Sequence, residues 1–107
     1  MSDTPRINLH EPVYLPDGHW IDRDGDEVYI KNSKLHRTDG PAVIQTDGTR
    51  EWYVNDEYHR TDGPAVIWSD GEMEWWLNDE MYSFKDWLEV NDQITDEEKV
   101  MLKLEYG

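Results

Sequence analysis

His36-Arg37-Thr38-Asp39-Gly40-Pro41-Ala42-Val43-Ile44 returns without change as His59-Arg60-Thr61-Asp62-Gly63-Pro64-Ala65-Val66-Ile67. The offset is 59 − 36 = 23 residues, and residues 36–57 agree with 59–80 at 16 of 22 positions. Self-similarity at a fixed period turns the fold question into a question about a repeat. The lengths and contents of the segments between the repeated landmarks then decide the architecture.

Those segments are punctuated by turn dipeptides. Asp17-Gly18, Asp24-Gly25, Asp39-Gly40, Asp47-Gly48, Asp62-Gly63 and Asp70-Gly71 are Asp-Gly pairs, and Asn32-Ser33, Asn55-Asp56 and Asn78-Asp79 sit between them. Both kinds of pair tolerate positive φ and suit hairpin turns. The intervening runs are short and rich in Val, Ile, Trp and Tyr, which reads as strand. Treating Asp47-Gly48 as a two-residue turn sets Thr46 opposite Thr49, Gln45 opposite Arg50, Ile44 opposite Glu51 and Val43 opposite Trp52. One face then carries Val43, Trp52, Val54, Val66, Trp68, Met73, Trp75 and Leu77, and as the more apolar face it is expected to be the core. Ile44, Glu51, Tyr53, Ile67, Glu74 and Trp76 fall on the other. At Asn55-Asp56 the chain reverses again, with Tyr53 opposite Tyr58 and Trp52 opposite His59. Asp24-Gly25, Tyr29 and Asn32 stand one period before Asp47-Gly48, Trp52 and Asn55, so about two and a half units span 17–82.

The flanks differ. Pro5, Pro12 and Pro16 make 1–16 an N-terminal arm in which Val13-Tyr14-Leu15 can form a short edge strand. Residues 83–107 read as two helices. Ser83 caps the first, whose Phe84, Trp87 and Leu88 share a face. Thr95-Asp96-Glu97-Glu98 is a capping box opening the second, with Val100, Met101 and Leu104 as its apolar stripe. The expected fold is mostly β, an antiparallel meander of tandem 23-residue hairpins closed by a C-terminal two-helix cap, α+β overall.

Composition bounds the function. Ten basic residues face 25 acidic ones, a net charge of −15. That balance repels nucleic acid and anionic membranes, favours a protein partner with a basic surface, and also serves solubility. There is no cysteine, which removes disulfides and thiolate metal sites. No apolar leader follows Met1 and no segment is long enough to span a bilayer. These features point to the cytoplasm. Six Trp and six Tyr against one Phe supply much of the apolar area, so most of Trp20, Trp52, Trp68, Trp75, Trp76 and Trp87 are expected in the core.

The string His-Arg-x-Asp-Gly-Pro-Ala, then Asp-Gly, then Glu-Trp-Tyr/Trp-x-Asn, resembles a variant of the MORN repeat, in the form found in tandem in tailed-phage and giant-virus proteins. The resemblance covers about 17–82. The 95–102 tail, Thr95-Asp96-Glu97-Glu98-Lys99-Val100-Met101-Leu102, is similar to the ends of small phage accessory proteins. The resemblance implies antiparallel hairpins stacked into an extended twisted sheet that serves as a scaffold or binding surface, and no single activity.

Two sets of residues are candidates for contact with a partner. Glu51, Tyr53, Asp56, Glu57, Glu72, Glu74, Trp76, Asp79 and Glu80 form an expected protein-binding face, with Tyr53 and Trp76 as aromatic hot spots among acids. His36, Arg37, His59 and Arg60 form the alternative, two corners that grip an anionic nucleotide while a Trp stacks on its base. The competing reading of the corners is structural, with Arg37 bridging Asp39 or a neighbouring unit's carboxylate and the histidines bonding turn carbonyls, because an identical repeat must close an identical turn. A structural or assembly module, self-associated through its sheet ends, is a further alternative. Asp22-Arg23-Asp24-Gly25-Asp26-Glu27 superficially resembles a calcium loop, but its Gly is misplaced and the bidentate Glu is missing at the required distance. No metal or cofactor is expected. No phosphate loop, nucleophile elbow or Cys-His pair suggests catalysis.

Overall fold

The computed structural model describes residues 16–107 together with the backbone of Arg6–Ile7. The possible strand at Val13-Tyr14-Leu15 lies outside the described residues. Among the described residues eleven strands precede two helices: β1 Arg6–Ile7, β2 Gly18–Asp22, β3 Glu27–Lys31, β4 Lys34–Leu35, β5 Val43–Ile44, β6 Arg50–Glu51, β7 Tyr53–Val54, β8 Glu57–Tyr58, β9 Val66–Ile67, β10 Met73–Leu77, β11 Glu80–Tyr82, α1 Phe84–Val90 and α2 Asp96–Tyr106. The main sheet runs β1-β2-β3-β5-β6-β9-β10-β11, β4 pairs with β3, and β7-β8 is a separate hairpin. Every pairing is antiparallel except β1 with β2, which is parallel. The protein is thus mostly β, an antiparallel meander followed by two helices.

Two kinds of turn alternate along it. Asn32-Ser33, Asn55-Asp56 and Asn78-Asp79 all have positive φ at both residues, from 49 to 67°. This is the backbone of a two-residue type I′ hairpin, in which Asn and Asp tolerate the left-handed region. The pairing of Tyr53 with Tyr58 follows from it as expected.

The Asp-Gly hairpins are built differently. Val43 pairs with Glu51 and Ile44 with Arg50, one residue away from the expected register. Gln45 donates to Thr49 O at 2.9 Å and Gly48 donates to Gln45 O at 2.9 Å. The loop is therefore three residues, Thr46-Asp47-Gly48, with only the Gly in positive φ (94°). Asp47 keeps negative φ and its Oδ1 accepts from Thr49 N at 2.8 Å. The same arrangement spans Asp22 to Asp26 and Trp68 to Glu72, with Gly25 at 88° and Gly71 at 90°. A type I turn followed by a left-handed Gly is the other common way to close a hairpin, and Asp-Gly satisfies it as well as it satisfies type I′.

A one-residue slip exchanges the faces. Trp20, Val28, Val43, Glu51, Val66 and Glu74 form one cross-strand row. Ile21, Glu27, Ile44, Arg50, Ile67 and Met73 form the opposite one. The expected single core face is thereby corrected to two cores. Val28, Ile30 and Val43 pack with Trp20, Leu35 and Tyr53. Trp75 and Leu77 pack instead against Trp87, Leu88 and Leu102 of the helices, joined by Tyr82, Phe84, Ile94 and Tyr106. Trp68 and Met73, expected in the core, are exposed.

Both helices start as the sequence predicts. Ser83 accepts from Asp86 N, and Thr95 with Glu98 makes a reciprocal capping box. The face of α2 is a second correction. Leu102 is buried and Tyr106 half-buried, whereas Val100, Met101 and Leu104 face solvent.

The loop geometry is open to a direct check. Under a type I′ turn Asp47 would have positive φ and replacement by Gly would stabilise the protein. With Asp47 in negative φ and bonded to Thr49 N, Asp47→Gly is expected to destabilise by about 1 kcal/mol, read by urea denaturation. A gain in stability would restore the two-residue turn.

Candidate interaction surface

The type I′ turns are stitched to the hairpin before them. Asn55 N donates to His36 Nδ1 at 3.2 Å and Asn78 N donates to His59 Nδ1 at 3.0 Å. Asp56 N donates to Leu35 O and Asp79 N to Tyr58 O, both at 2.9 Å. In return Asp56 Oδ1 accepts from Leu35 N at 2.6 Å and Asp79 Oδ1 from Tyr58 N at 3.2 Å. At the first turn Asp17 replaces the histidine, its Oδ1 accepting from Asn32 N at 2.7 Å. Asp56 and Asp79 are therefore exposed but committed by one oxygen each, whereas the exposed Glu57 and Glu72 make no side-chain hydrogen bond or ion pair among the described residues. Glu80 accepts from Tyr82 Oη at 2.8 Å.

Behind this edge lies an aromatic row. Tyr53 and Tyr58 stack with centroids 4.5 Å apart, and Tyr58 meets Trp76 at 4.9 Å. Trp76 pairs with Met81, which is 61% exposed and prolongs the row. The two glutamates expected beside it as partner contacts are used inside it. Glu51 is 8% exposed and accepts from Tyr58 Oη at 2.6 Å and Gln45 Nε2 at 3.2 Å. Glu74 accepts from Trp68 Nε1 at 2.7 Å and Trp76 Nε1 at 2.9 Å. Burial first, then the bond to Glu51, pushes the Tyr58 phenol far above its ordinary pKa. Burial raises that of Tyr53 as well. Both phenols stay neutral at physiological pH. Of the nine residues expected to face a protein partner, Asp56, Glu57, Glu72, Asp79 and Glu80 are exposed, Tyr53, Glu74 and Trp76 are half-buried, and Glu51 is buried. Met81 was not among the nine because no periodicity marks a residue just past a turn.

The His-Arg corners are locked. Arg37 donates Nε to Asp39 Oδ1 at 2.9 Å and a terminal nitrogen to Pro41 O at 3.1 Å, and lies 4.0 Å above the Tyr29 ring. Arg60 does the same with Asp62 at 2.8 Å, Pro64 O at 3.0 Å and the Trp52 ring at 4.0 Å. Gly40 and Gly63 are not positive-φ turn residues. A Cβ on them would fall 2.8 Å from Arg37 Cζ and 2.7 Å from Arg60 Cζ. Each Gly clears space for its guanidinium. The Arg37 guanidinium also holds the exposed Asp39 carboxyl below its ordinary pKa. In the last hairpin Trp87 packs on Trp75 at 4.7 Å, in the place the arginines occupy on Tyr29 and Trp52, and donates Nε1 to Arg60 O at 3.2 Å. The buried Asn91 donates to Thr61 O at 2.9 Å.

Arg37, His59, Arg60 and Trp52 line one open groove of about 750 Å³ that reaches the α1–α2 loop, and His36 is not in its wall. Asp39, Asp62 and Asp92 line it too, so the two guanidinium charges are more than matched. Near the first hairpin, carboxylate oxygens of Asp22, Asp24 and Asp26 lie within 4.8 Å of one another. Asp22 Oδ1 already accepts from Asp24 N and Asp26 N, and Asp26 Oδ1 from Thr46 N. These bonds account for the cluster as a braced loop.

Comparison with protein-family models, with characterised proteins and with solved structures gives no match.

Burial holds the His59 pKa below the ordinary histidine value, with Glu57 opposing weakly. A neutral ring suits an Nδ1 that accepts a backbone N–H. The folded chain then binds this proton less readily than the unfolded chain. The stability it contributes is present above the ordinary value of about 6.5 and is lost as pH falls through it toward the lowered folded value. His59→Asn keeps an acceptor and removes the titration. Between about pH 7.5 and about pH 5.5 the unmodified chain is expected to lose more stability in urea than His59→Asn. Parallel losses would remove His59 from the account.

Proposed function

We propose that this protein is a non-enzymatic, acidic protein-binding module. It meets a basic partner through the turn edge carrying Glu57 and Glu80 and the aromatic row ending in Met81. The observation that carries this reading is a turn edge with the aromatic row on one face and Glu57 and Glu80, which pair with Val54 and Leu77, on the other. An aromatic and methionine row supplies the kind of centre that dominates binding energy, and exposed carboxylates supply a polar rim. The wider charge of −15 is compensated by few internal ion pairs, the described ones being His19–Glu27, Arg37–Asp39 and Arg60–Asp62. Such a surface accelerates encounter with a positive one.

The paired corners, turns and Asp-braced loops fit a 23-residue hairpin unit of the MORN-variant kind, used as a scaffold for the edge. By that resemblance the protein is a phage accessory protein acting in the host cytoplasm. Its charge suits a host target that normally holds nucleic acid in a basic groove, such as a defence enzyme, which it inhibits by charge mimicry.

The groove beside Arg37, His59 and Arg60 favours a second reading, a binder of anionic nucleotides. Against it stand the three aspartates in the same wall and the Nε and terminal nitrogen that each arginine already spends on the corner. A nucleotide mass retained by the purified protein and lost in Arg37→Ala/Arg60→Ala, with the fold intact, would move the function there.

The test is capture from bacterial lysate at low salt with native mass spectrometry. A protein partner is expected that high salt releases, and that Glu57→Lys/Glu80→Lys binds about tenfold or more weakly. These two side chains are chosen because neither bonds the backbone as Asp56 and Asp79 do. Binding indifferent to both salt and charge reversal would sink the electrostatic reading.

A further inference from the structure

The solvent-facing stripe of α2 is a second surface in want of a partner. Val100, Met101 and Leu104 are 55, 65 and 77% exposed, although their i, i+1, i+4 spacing with Glu97 makes one continuous helical ridge. The opposite side of α2 is already occupied, with Leu102 and Tyr106 against Trp75 and α1. At the foot of the ridge lies a shallow groove of about 360 Å³. Its apolar wall is Ile94, Met101 and Leu102, and its charged wall is Asp62, Glu97 and Glu98, with no Lys or Arg.

We infer that this ridge and groove dock a basic amphipathic helix of a partner protein. Ridge spacing on one helix seats the ridge of another, with anchors recurring at three and four residues. The all-acidic charged wall of the groove supplies the complement for lysine or arginine flanking those anchors. A second copy of this chain fits poorly. It would bring Glu97 and Glu98 of two molecules together within a pair already carrying −15 each, and like charge opposes that approach. The proposal rests on the protein-binding reading but places a contact on the helical side of the sheet, separate from the turn edge.

The test titrates the full chain into a labelled 18-residue peptide of leucine and lysine patterned as an amphipathic helix, read by fluorescence anisotropy. A scrambled isomer of equal charge is the control. The patterned peptide is expected to bind at least about tenfold more tightly than the scramble. Val100→Ser/Met101→Ser/Leu104→Ser is expected to lose about tenfold or more, since each exposed anchor removed forfeits apolar burial in the complex. Because these side chains face solvent, the melting temperature of the triple variant should match the unmodified chain. Glu57→Lys/Glu80→Lys is expected to change affinity by less than about threefold.

Equal binding of patterned and scrambled peptides, or an unaffected triple variant, would overturn the docking site. Loss confined to the Glu57/Glu80 variant would also overturn it while leaving the turn-edge reading in place. A dimer in sedimentation that the triple variant dissolves would hand the ridge to a second copy.

Discussion

Each type I′ turn in this protein is held by the hairpin before it, and the sheet depends on that bond. Asn55 and Asn78 sit in left-handed backbone, a conformation that costs a non-Gly residue about 1–2 kcal/mol. Their N–H groups are met by His36 and His59, and the aspartates that follow exchange two bonds with Leu35 and Tyr58. A strained turn and a backbone strand end thus satisfy one another. The arrangement also explains what begins and ends the series. Asp17 supplies the acceptor at the first turn, where the residue one period before His36 is Val13. Where the third corner would stand, Tyr82 and Ser83 replace His and Arg, and Ser83 caps a helix. That helix brings Trp87 onto Trp75 in the arginine's place.

The same bonds sort the acidic residues into two groups. Asp17, Asp39, Asp47, Asp56, Asp62, Asp70 and Asp79 hold turns or corners, and Glu51 and Glu74 hold the aromatic row. Much of the negative charge is therefore structural in origin. What distinguishes a surface available to a partner is a carboxylate that braces no backbone group, and at the turn edge Glu57 and Glu80 are of that sort. This division narrows a face of nine expected residues to a few at the turn edge, with Met81 added.

Much of the architecture was legible in the sequence. Asn-Asp pairs and β-rich runs gave the hairpins, and Ser83 and Thr95 gave both helix starts. The register across Asp47-Gly48 was not legible, because Asp-Gly closes a two-residue and a three-residue loop equally well and the choice lies in one φ angle. That single ambiguity exchanged the faces of Trp75 and Val66 and made one core out of two. It also placed Glu51 on a contact surface when its side chain points inward to Tyr58. Gly40 and Gly63 misled for a related reason: the dipeptide is the same as at the turns, but here the glycine makes room for arginine. In α2 the stripe of Val100, Met101 and Leu104 competes with Leu102 and Tyr106. Periodicity cannot decide between two apolar sides of one helix when the larger ring lies on the weaker stripe. For the site, charge and aromatics indicated a class of partner, while the committed and uncommitted carboxylates became distinguishable only once their bonds were known.

The account's central claim is that the histidines are structural acceptors within locked corners, leaving the acidic edge to meet the partner. Nitrogen-detected NMR of the imidazoles of His36 and His59 near neutral pH tests it most directly. The account predicts in both rings a bare Nδ1 coupled through the hydrogen bond to the amides of Asn55 and Asn78. Rings protonated on Nδ1, or averaging freely between tautomers, would contradict it and return His36 and His59 to the pool of groups available to a ligand.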